Sequence, residues 1–538
     1  MIPPQKPRGP LGPLSVFALI FCAIWLLHLP VLRLPYFWDE AGYFIPAARD
    51  LLLSGDPIPQ TTLTTSHPPL VPAWLALWWK LSNFVPSVTR TAMLLVSAFC
   101  LAGVYRLAQR VANTQVAAGS VVLTALYPVF FAQSSLAHLD VAAAAFTMWG
   151  LVFYTAERWR WCAAMFALAA LAKETAIIAP LALIGWEVLL KWWQRLRELE
   201  EHSRWMPERE EGARRGAGAM PYLAASLVPL VLWFAYQGWR TGHPFGEASY
   251  VGYNLWATLH PVRFGFAIFR RVWQAFGYMN LFALTAAALL AMMYAPVRDG
   301  ERKRARIAIP TQLMFAGLVG AYGLVLSLLG GAVLARYMLP VVPLVIIVWV
   351  STVWRRSRRW LLVLGLVAIA FVAGWWINPP YPFAPEDNLS YRDFVLLHQR
   401  AAQYIADRHG NERVLTAWPA SDELSKPYLG YVPRPIRVVT LENFSPTEIA
   451  RAAGMRAQYD VVLMFSTKYE PGVNLFDKIP FWETISRRYF DYHRNVPPDL
   501  AAALLQGKLV KHWRRGGQWV AVIEIERAES ASLEHRRR

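Results

Sequence analysis

The chain has 538 residues, of which 56% are hydrophobic and 25 are tryptophan, and a formal net charge of +18. The apolar residues are concentrated in long runs, which indicates a polytopic membrane protein and excludes a soluble one. In such a protein, Lys and Arg in short loops set the orientation in the membrane, so the charge does not indicate nucleic acid as a partner. Cys22, Cys100 and Cys162 all lie in apolar segments, which argues against a disulfide framework or a cysteine metal site.

The first apolar run extends to about Leu32 and follows a Pro-rich start that carries Lys6 and Arg8. It is long enough to span a bilayer and no small-residue cleavage site follows it, so we expect an uncleaved first helix with a cytoplasmic N-terminus. The next segment, 33–87, is then an extracytoplasmic loop. Within it, Ala41–Leu53 and Leu70–Leu81 are predicted to be short interfacial helices.

This first loop carries an adjacent carboxylate pair, Asp39 and Glu40, among aromatic residues at the mouth of a membrane helix. Adjacent carboxylates often only begin a helix, where they favour the positive end of its dipole. At the bilayer interface a carboxylate is also partly desolvated, which suits a general base. We therefore interpret the loop as the catalytic centre, with Asp39 and Glu40 as catalytic residues and the nearby Tyr43 as a substrate-binding residue.

Further spans are predicted from apolar length, for about eleven in all. They lie near 88–106, 114–132, 140–156, 160–173, 175–191, 219–237, 274–295, 308–329, 337–354 and 360–377. Trp159–Trp193 is assigned two crossings because basic residues flank it on both sides. Basic loops at Arg106, 194–216, 298–306 and 355–359 agree with this orientation, and an odd number of spans puts the chain after about Ile377 outside.

The last part of the chain changes to short strands and helices. We therefore divide the chain into a transmembrane domain, 1–377, and a soluble extracytoplasmic α/β domain, 378–538. Strands are predicted at Val414–Trp418, Arg437–Leu441, Val461–Phe465 and Trp519–Ile525, with helices near 391–408, 446–457 and 498–506, in a partly parallel sheet. No Gly-rich phosphate loop follows these strands, so this domain alone indicates no chemistry.

Ionisable residues gather at the predicted outer ends of the spans, where they are costly and are functional candidates. They are Asp39, Glu40, His67, His138, Asp140, Lys173, Glu174, Arg240, His243, Glu247, Arg336 and Tyr337. Some also have a purely structural interpretation. Asp140 could cap a helix, and Lys173 and Glu174 could neutralise each other.

Three cations in this set are candidates for binding an anionic lipid phosphate. Lys173 lies at the outer surface, where the orientation rule disfavours a lysine. The guanidinium of Arg336 suits bidentate phosphate binding, although Arg336 and Tyr337 could also be an interfacial anchor. His67 precedes two prolines and could either shape a turn or donate to a leaving group. His138 and Asp140 could orient a donor or an acceptor.

Taken in order, these residues resemble the motifs of the GT-C glycosyltransferases. The motifs are an aromatic residue followed by Asp39-Glu40, His67-Pro68-Pro69-Leu70, Asp140 opening a span, Ala172-Lys173-Glu174-Thr175, and Ala335-Arg336-Tyr337-Met338-Leu339-Pro340. Within this superfamily the chain is similar to bacterial relatives of the protein O-mannosyltransferases and the lipid A aminoarabinose transferases. The resemblance covers about 14–350.

The resemblance implies an α-helical GT-C fold and inverting transfer of a sugar from a polyprenyl-phosphate donor, outside the bacterial cytoplasmic membrane. It implies Asp39 as the base that deprotonates the acceptor and Glu40 as its positioning neighbour. The donor phosphate would be held among His67, Lys173 and Arg336, and substrate among Tyr43, His138, Asp140, Glu174 and Tyr337. The partners implied are the lipid-linked donor, membrane lipids and a cell-envelope acceptor, which is a glycolipid, a polysaccharide or a protein.

Other classes of function fit some of the same features. A transporter or flippase of a lipid-linked or anionic substrate also places charged residues at membrane depth, but we find no inverted repeat. A membrane scaffold that displays the α/β domain is another alternative. No resident metal or cofactor is predicted, although a divalent cation on Asp39, Glu40 and Asp140 is possible for a metal-assisted transferase.

Overall fold

The computed structural model describes residues 12–202, 218–255, 258–469, 471–490 and 492–526. Lys6, Arg8 and most of the predicted inside loop 194–216 lie outside these residues. Within them the chain forms a helical membrane part followed by a mixed α/β domain, which confirms the predicted fold class.

The membrane part is a bundle of helices whose apolar faces pack on one another. Several begin with proline in the first turn, where the missing N–H costs nothing because that group has no helical partner. The helices are Pro13–His28, Ile45–Ser54, Leu70–Leu81, Pro86–Val111, Thr114–Leu126, Pro128–Gln133, Asp140–Thr155, Trp159–Ala172, Ile178–His202, Ala219–Ala225, Val228–Thr241, Ala248–Asn254, Pro261–Phe276, Leu281–Met292, Ile309–Leu328, Val342–Arg356 and Trp360–Ala373.

Fewer helices are long enough to cross a membrane by themselves than the eleven predicted spans. Among the described residues, five helical stretches pass by length and composition, or six if one bent pair counts as a span. The five are Pro13–Val31, Pro86–Val111, Glu174–Arg195, Ala219–Thr241 and Ile309–Leu328. Five further apolar helices are shorter, and four of these coincide with predicted spans. The sequence therefore predicted the apolar segments but not the residues at which each helix ends.

The span predicted at 274–295 is broken. The helices Pro261–Phe276 and Leu281–Met292 meet at an angle of 73°. Between them Met279 and Asn280 have φ values of 45° and 66°, the left-handed region that ends a helix. The first of the two helices is amphipathic, and apolar length alone did not reveal it.

The C-terminal domain is built around a five-stranded sheet. In spatial order the strands are Arg437–Leu441, Arg413–Ala417, Val461–Phe465, Gln518–Ile525 and Gly507–Arg515. The first three strands are parallel to one another, and the fourth is antiparallel to both of its neighbours. The prediction of a partly parallel sheet is therefore confirmed. The surrounding helices are Ser390–His409, Ala420–Ser425, Pro446–Gly454, Trp482–Phe490 and Pro498–Leu505.

The α/β domain and the first loop share one hydrophobic core. The ring of Phe37 lies 5.2 Å from that of Phe394, which in turn lies 6.0 Å from Phe465 on a central strand. The hydroxyl of Tyr431 donates to the backbone oxygen of Tyr36 at 2.9 Å. The domain is therefore packed on the loop that carries Asp39, on the same side of the membrane part.

Basic turns meet at one end of the bundle. Arg110 donates to the backbone oxygen of Thr155 at 2.7 Å, and Arg304 donates to that of Trp354, also at 2.7 Å. The indole of Trp354 donates to Gln115 at 2.6 Å, which joins these turns to the start of the helix Thr114–Leu126. This basic end and the first loop lie at opposite ends of the helix Pro86–Val111, which spans roughly 39 Å at 1.5 Å per residue.

Candidate active site

The adjacent carboxylates of the first loop point in different directions. Trp38, just before them, has a φ of 42°, an uncommon conformation for a bulky residue, and Glu40–Phe44 forms a π-helical turn. Both features re-aim the side chains that follow. Asp39 is left about 20% exposed, whereas Glu40 is fully enclosed.

Glu40 is an anchor inside the protein. Its two oxygens accept hydrogen bonds from Arg90 at 2.9 and 3.1 Å, in a forked pair that is fully buried. The backbone N–H groups of Phe37 and Ala137 donate to the same carboxylate at 2.8 and 2.6 Å. These contacts tie the loop to the helix Pro86–Val111. The predicted catalytic role of Glu40 remains a prediction, and these contacts favour positioning over direct chemistry.

Asp39 pairs with Arg336, almost 300 positions later in the chain. Arg336 lies in the short 3₁₀ turn Ala335–Met338 and its side chain is only 4% exposed. Its guanidinium also donates to Glu386 at 3.0 Å and lies 3.4 Å from Asp140. Three carboxylates from distant parts of the chain therefore surround one guanidinium.

His138 completes the surroundings of Arg336. Its Nδ1 lies 2.7 Å from a terminal nitrogen of Arg336 and 2.8 Å from the side-chain oxygen of Gln133. Burial, with further contributions from Arg336 and Lys173, lowers the pKa of His138 well below its ordinary value. This shift favours the neutral imidazole, which can accept a hydrogen bond from the guanidinium.

Lys173 approaches the same cluster from the other side. Its ammonium donates to Asp140 at 2.6 Å and lies 3.8 Å from the centre of the Tyr337 ring. Arg271 and Arg336 lie 5.6 and 5.7 Å from the centre of that ring, so three cations lie around one aromatic ring. The concentration of positive charge at Tyr337 suits a phosphate group.

His67 and Glu174 form a pair beside this cluster. The Nδ1 of His67 lies 2.7 Å from a Glu174 oxygen, and the Nε2 lies 3.4 Å from the hydroxyl of Tyr250. The ring of Phe44 lies 5.9 Å from the rings of both His67 and His138. The first loop thus carries His67 to the same region as Arg336 and Lys173.

Most of the residues predicted from sequence therefore converge. Asp39, His67, His138, Asp140, Lys173, Glu174, Arg336 and Tyr337 are linked by the contacts above. Tyr43 lies nearby, with its ring 5.4 Å from that of Trp418. Arg240 and Glu247 lie apart from the cluster, because Arg240 pairs with Asp56 and Glu247 interacts with Thr64.

Sequence reasoning missed Glu386 and Asp387, a buried carboxylate pair in the turn Pro385–Asp387. Burial raises the pKa of Glu386 to about 8 and that of Asp387 to about 6. Asp387 accepts a hydrogen bond from Tyr278 at 2.5 Å. The available signal in the sequence was Pro385-Glu386-Asp387, two adjacent carboxylates a few residues after the predicted outer end of the last span.

The site can perform acid and base chemistry next to an anion. Asp39 is its most accessible carboxylate and can accept a proton, while Lys173 and Arg336 supply fixed positive charge to a leaving anion. Asp39, His138 and Glu386 also place one ligand atom each within 4.8 Å of one another, which is a donor set that fits a metal ion.

Comparison with known proteins supports the motif resemblance. The family profile for dolichyl-phosphate-mannose-protein mannosyltransferase matches residues 66–203, about a quarter of the chain. No curated protein matches the chain by sequence. The resemblance to the GT-C glycosyltransferases is confirmed.

Two solved structures of ArnT share the fold of this chain. ArnT from Cupriavidus metallidurans bound to undecaprenyl phosphate has a TM-score of 0.56 at 14% identity, covering 95% of this chain and 97% of that chain. The structure of ArnT in the apo state has a TM-score of 0.54 at the same identity and coverage. The oligosaccharyltransferase of Archaeoglobus fulgidus in its apo form is more distant, with a TM-score of 0.45 at 11% identity over 84% of this chain and 69% of that chain. The chain therefore has an ArnT-like fold.

Proposed function

We propose that this multi-pass membrane protein, with its GT-C resemblance and ArnT-like fold, is an inverting glycosyltransferase. It moves a sugar from a polyprenyl-phosphate donor to a hydroxyl or phosphate of a cell-envelope glycolipid, polysaccharide or protein. The observation that carries this proposal is the convergence of one accessible carboxylate, Asp39, with the cations Arg336 and Lys173. The undecaprenyl phosphate bound to ArnT supports a polyprenyl-phosphate donor here.

In this mechanism the donor phosphate is the leaving group. The acceptor oxygen attacks the anomeric carbon as the bond from that carbon to the phosphate oxygen breaks. The electron pair of the broken bond stays on the phosphate, and Lys173 and Arg336 stabilise the added negative charge. The acceptor proton passes to Asp39, so no covalent intermediate with the protein is needed and the anomeric configuration inverts.

Arg336 has to change partners during this sequence. In the structure its guanidinium is engaged by Asp39, Glu386 and His138, so a phosphate must replace at least one of these contacts. A donor phosphate that attracts Arg336 would loosen its pair with Asp39 and free that carboxylate to contact the acceptor hydroxyl. Donor binding before acceptor activation follows from this exchange.

The direct test is transfer of radiolabelled sugar from a panel of polyprenyl-phosphate donors to membrane extracts, with wild type compared to Asp39→Asn at matched expression. Loss of a general base should lower the rate by about a hundredfold or more. Asp56→Asn is the matched control, because Asp56 lies in the same loop and pairs with Arg240 away from the cluster. Equal transfer by wild type and Asp39→Asn would show that Asp39 is not the base.

A further inference from the structure

Three side chains of the candidate site form a donor set typical of a divalent metal. Asp39 and Glu386 offer one carboxylate oxygen each and His138 offers a ring nitrogen, all within 4.8 Å of one another. Two carboxylates with one imidazole bind Zn²⁺, Mn²⁺ or Fe²⁺ in many proteins. Glu386 also has an oxygen, Oε1, that is buried without a hydrogen-bond partner in the described part of the chain.

The same three groups all contact the guanidinium of Arg336. One terminal nitrogen donates to Glu386 at 3.0 Å and lies 2.7 Å from His138, and the other donates to Asp39. Each of the three side chains therefore directs at least one of its candidate ligand atoms at the guanidinium. Arginine suits this position because its planar fork presents several donors at fixed angles and it keeps its charge when buried.

A metal ion and Arg336 cannot share these ligands. Both are cations, and in a buried site the repulsion between a guanidinium and a divalent ion a few ångströms away is strong. Arg336 is held in addition by Asp140, 3.4 Å from its Nε, and its side chain is 4% exposed. A metal could bind only by moving a buried arginine away from its carboxylates.

We propose that Arg336 is the resident cation of this site, standing where a divalent metal would otherwise bind, and that Asp39, His138 and Glu386 become a metal site when Arg336 is removed. In glycosyl transfer, the guanidinium would then supply the positive charge that a metal supplies elsewhere. The statement about glycosyl transfer rests on the proposed function. The statement about metal binding rests on geometry alone and can be tested without measuring activity.

The test is Mn²⁺ binding to purified protein in detergent, followed by electron paramagnetic resonance. Arg336→Ala is expected to bind one Mn²⁺, and wild type none at this position. Arg336→Lys keeps a cation and is expected to bind none. Adding His138→Ala to Arg336→Ala should weaken Mn²⁺ binding at least tenfold. Arg271→Ala is the matched control, since Arg271 is also a buried arginine near Tyr337 but bonds to Gln274 and backbone oxygens.

Folding of Arg336→Ala is checked by its thermal unfolding with and without Mn²⁺, because a bound ion raises the unfolding temperature of the state that binds it. A folded Arg336→Ala that binds no Mn²⁺ would overturn the proposal. If that variant does not fold, Mn²⁺ binding to the wild-type protein tests the proposal instead. One Mn²⁺ bound to wild type and lost in His138→Ala would overturn the proposal, whereas no such ion, with transfer unaffected by a chelator, would support it.

Discussion

Asp39 and Glu40 are neighbours in the chain but have contrasting surroundings. Glu40 is enclosed by Arg90 and two backbone N–H groups, and breaking a buried pair of this kind typically costs about 3–5 kcal/mol. That rigidity fixes the backbone next to Asp39, which remains about 20% exposed. A rigid backbone and an accessible carboxylate are what the proposed role of Asp39 as general base requires.

Glu386 should make stability depend on pH. Its folded pKa is raised to about 8 by burial, above the ordinary value of 4.5. As pH rises through that interval, the unfolded chain releases a proton that the folded protein retains, so stability is lost. We expect the unfolding temperature of wild type to fall between pH 6 and 8, and to fall less in Glu386→Gln, which is neutral throughout.

The range from pH 6 to 8 isolates Glu386, because Asp387, with a pKa of about 6, titrates mostly below it. Glu442→Gln, at an exposed position of the α/β domain, serves as the control and should follow wild type. Parallel curves for wild type and Glu386→Gln would mean that Glu386 is already ionised in the fold.

At the scale of elements, residues of the site lie in short non-α turns. These are the π-helical turn Glu40–Phe44 and the 3₁₀ turns Glu174–Ile177, Ala335–Met338 and Pro385–Asp387. A 3₁₀ turn has fewer residues per turn than an α-helix, and a π-helical turn has more. Either turn therefore changes the direction of the side chains that follow it. The cluster depends on these turns as much as on the helices that carry them.

The turn at Glu40–Phe44 is held by the C-terminal domain. A Cβ added at Gly42 would lie 2.5 Å from the ring of Trp418, which also packs against Trp38 at 5.5 Å between ring centres. We expect Gly42→Ala to displace that ring and lower transfer by tenfold or more, because small misplacements of a catalytic group are costly. The measurement is the rate of sugar transfer at saturating donor.

Gly185→Ala is the matched control for this substitution. Gly185 lies in the helix Ile178–His202, and an added Cβ there has nothing within 4 Å. Its transfer rate should equal that of wild type. Full activity in Gly42→Ala would show that the contact with Trp418 does not set the geometry at Asp39.

Helices and strands were predictable from sequence where the pattern of apolar residues was strong. The helix Leu70–Leu81 and the strands Arg437–Leu441 and Val461–Phe465 lie where the pattern predicts them. The strand Gly507–Arg515 was missed because it is a charged edge strand without a buried face. The helix Pro261–Phe276 was missed because its arginines interrupt the apolar run on which span prediction depends.

At the scale of the whole molecule, the site could be predicted only in part. Residue type and position near an outer span end made Asp39, Lys173 and Arg336 candidates, and the structure brings these three residues together. Their contacts could not be predicted, because the partners are separated by 33 to 297 positions and meet only when the helices pack. Glu386 was missed for the same reason, since it lies beyond the last predicted span and joins the site only through the fold.

The orientation of the molecule in the membrane is the last property that the fold lets us predict. The basic turns near Arg110, Arg304 and Arg355 gather at one end of the bundle, and basic turns favour the cytoplasmic side. The α/β domain packs on the first loop at the opposite end. We therefore expect the domain and the candidate site to face outwards.

Single cysteines at two exposed lysines test this orientation, in a background where Cys22 is replaced by Ser. Lys511 lies on the strand Gly507–Arg515 and Lys303 lies in the short hairpin between basic turns. A membrane-impermeant thiol reagent applied to intact spheroplasts should label Lys511→Cys, and should label Lys303→Cys only after the membrane is permeabilised. The reverse pattern would place the site in the cytoplasm, where an extracytoplasmic acceptor could not reach Asp39.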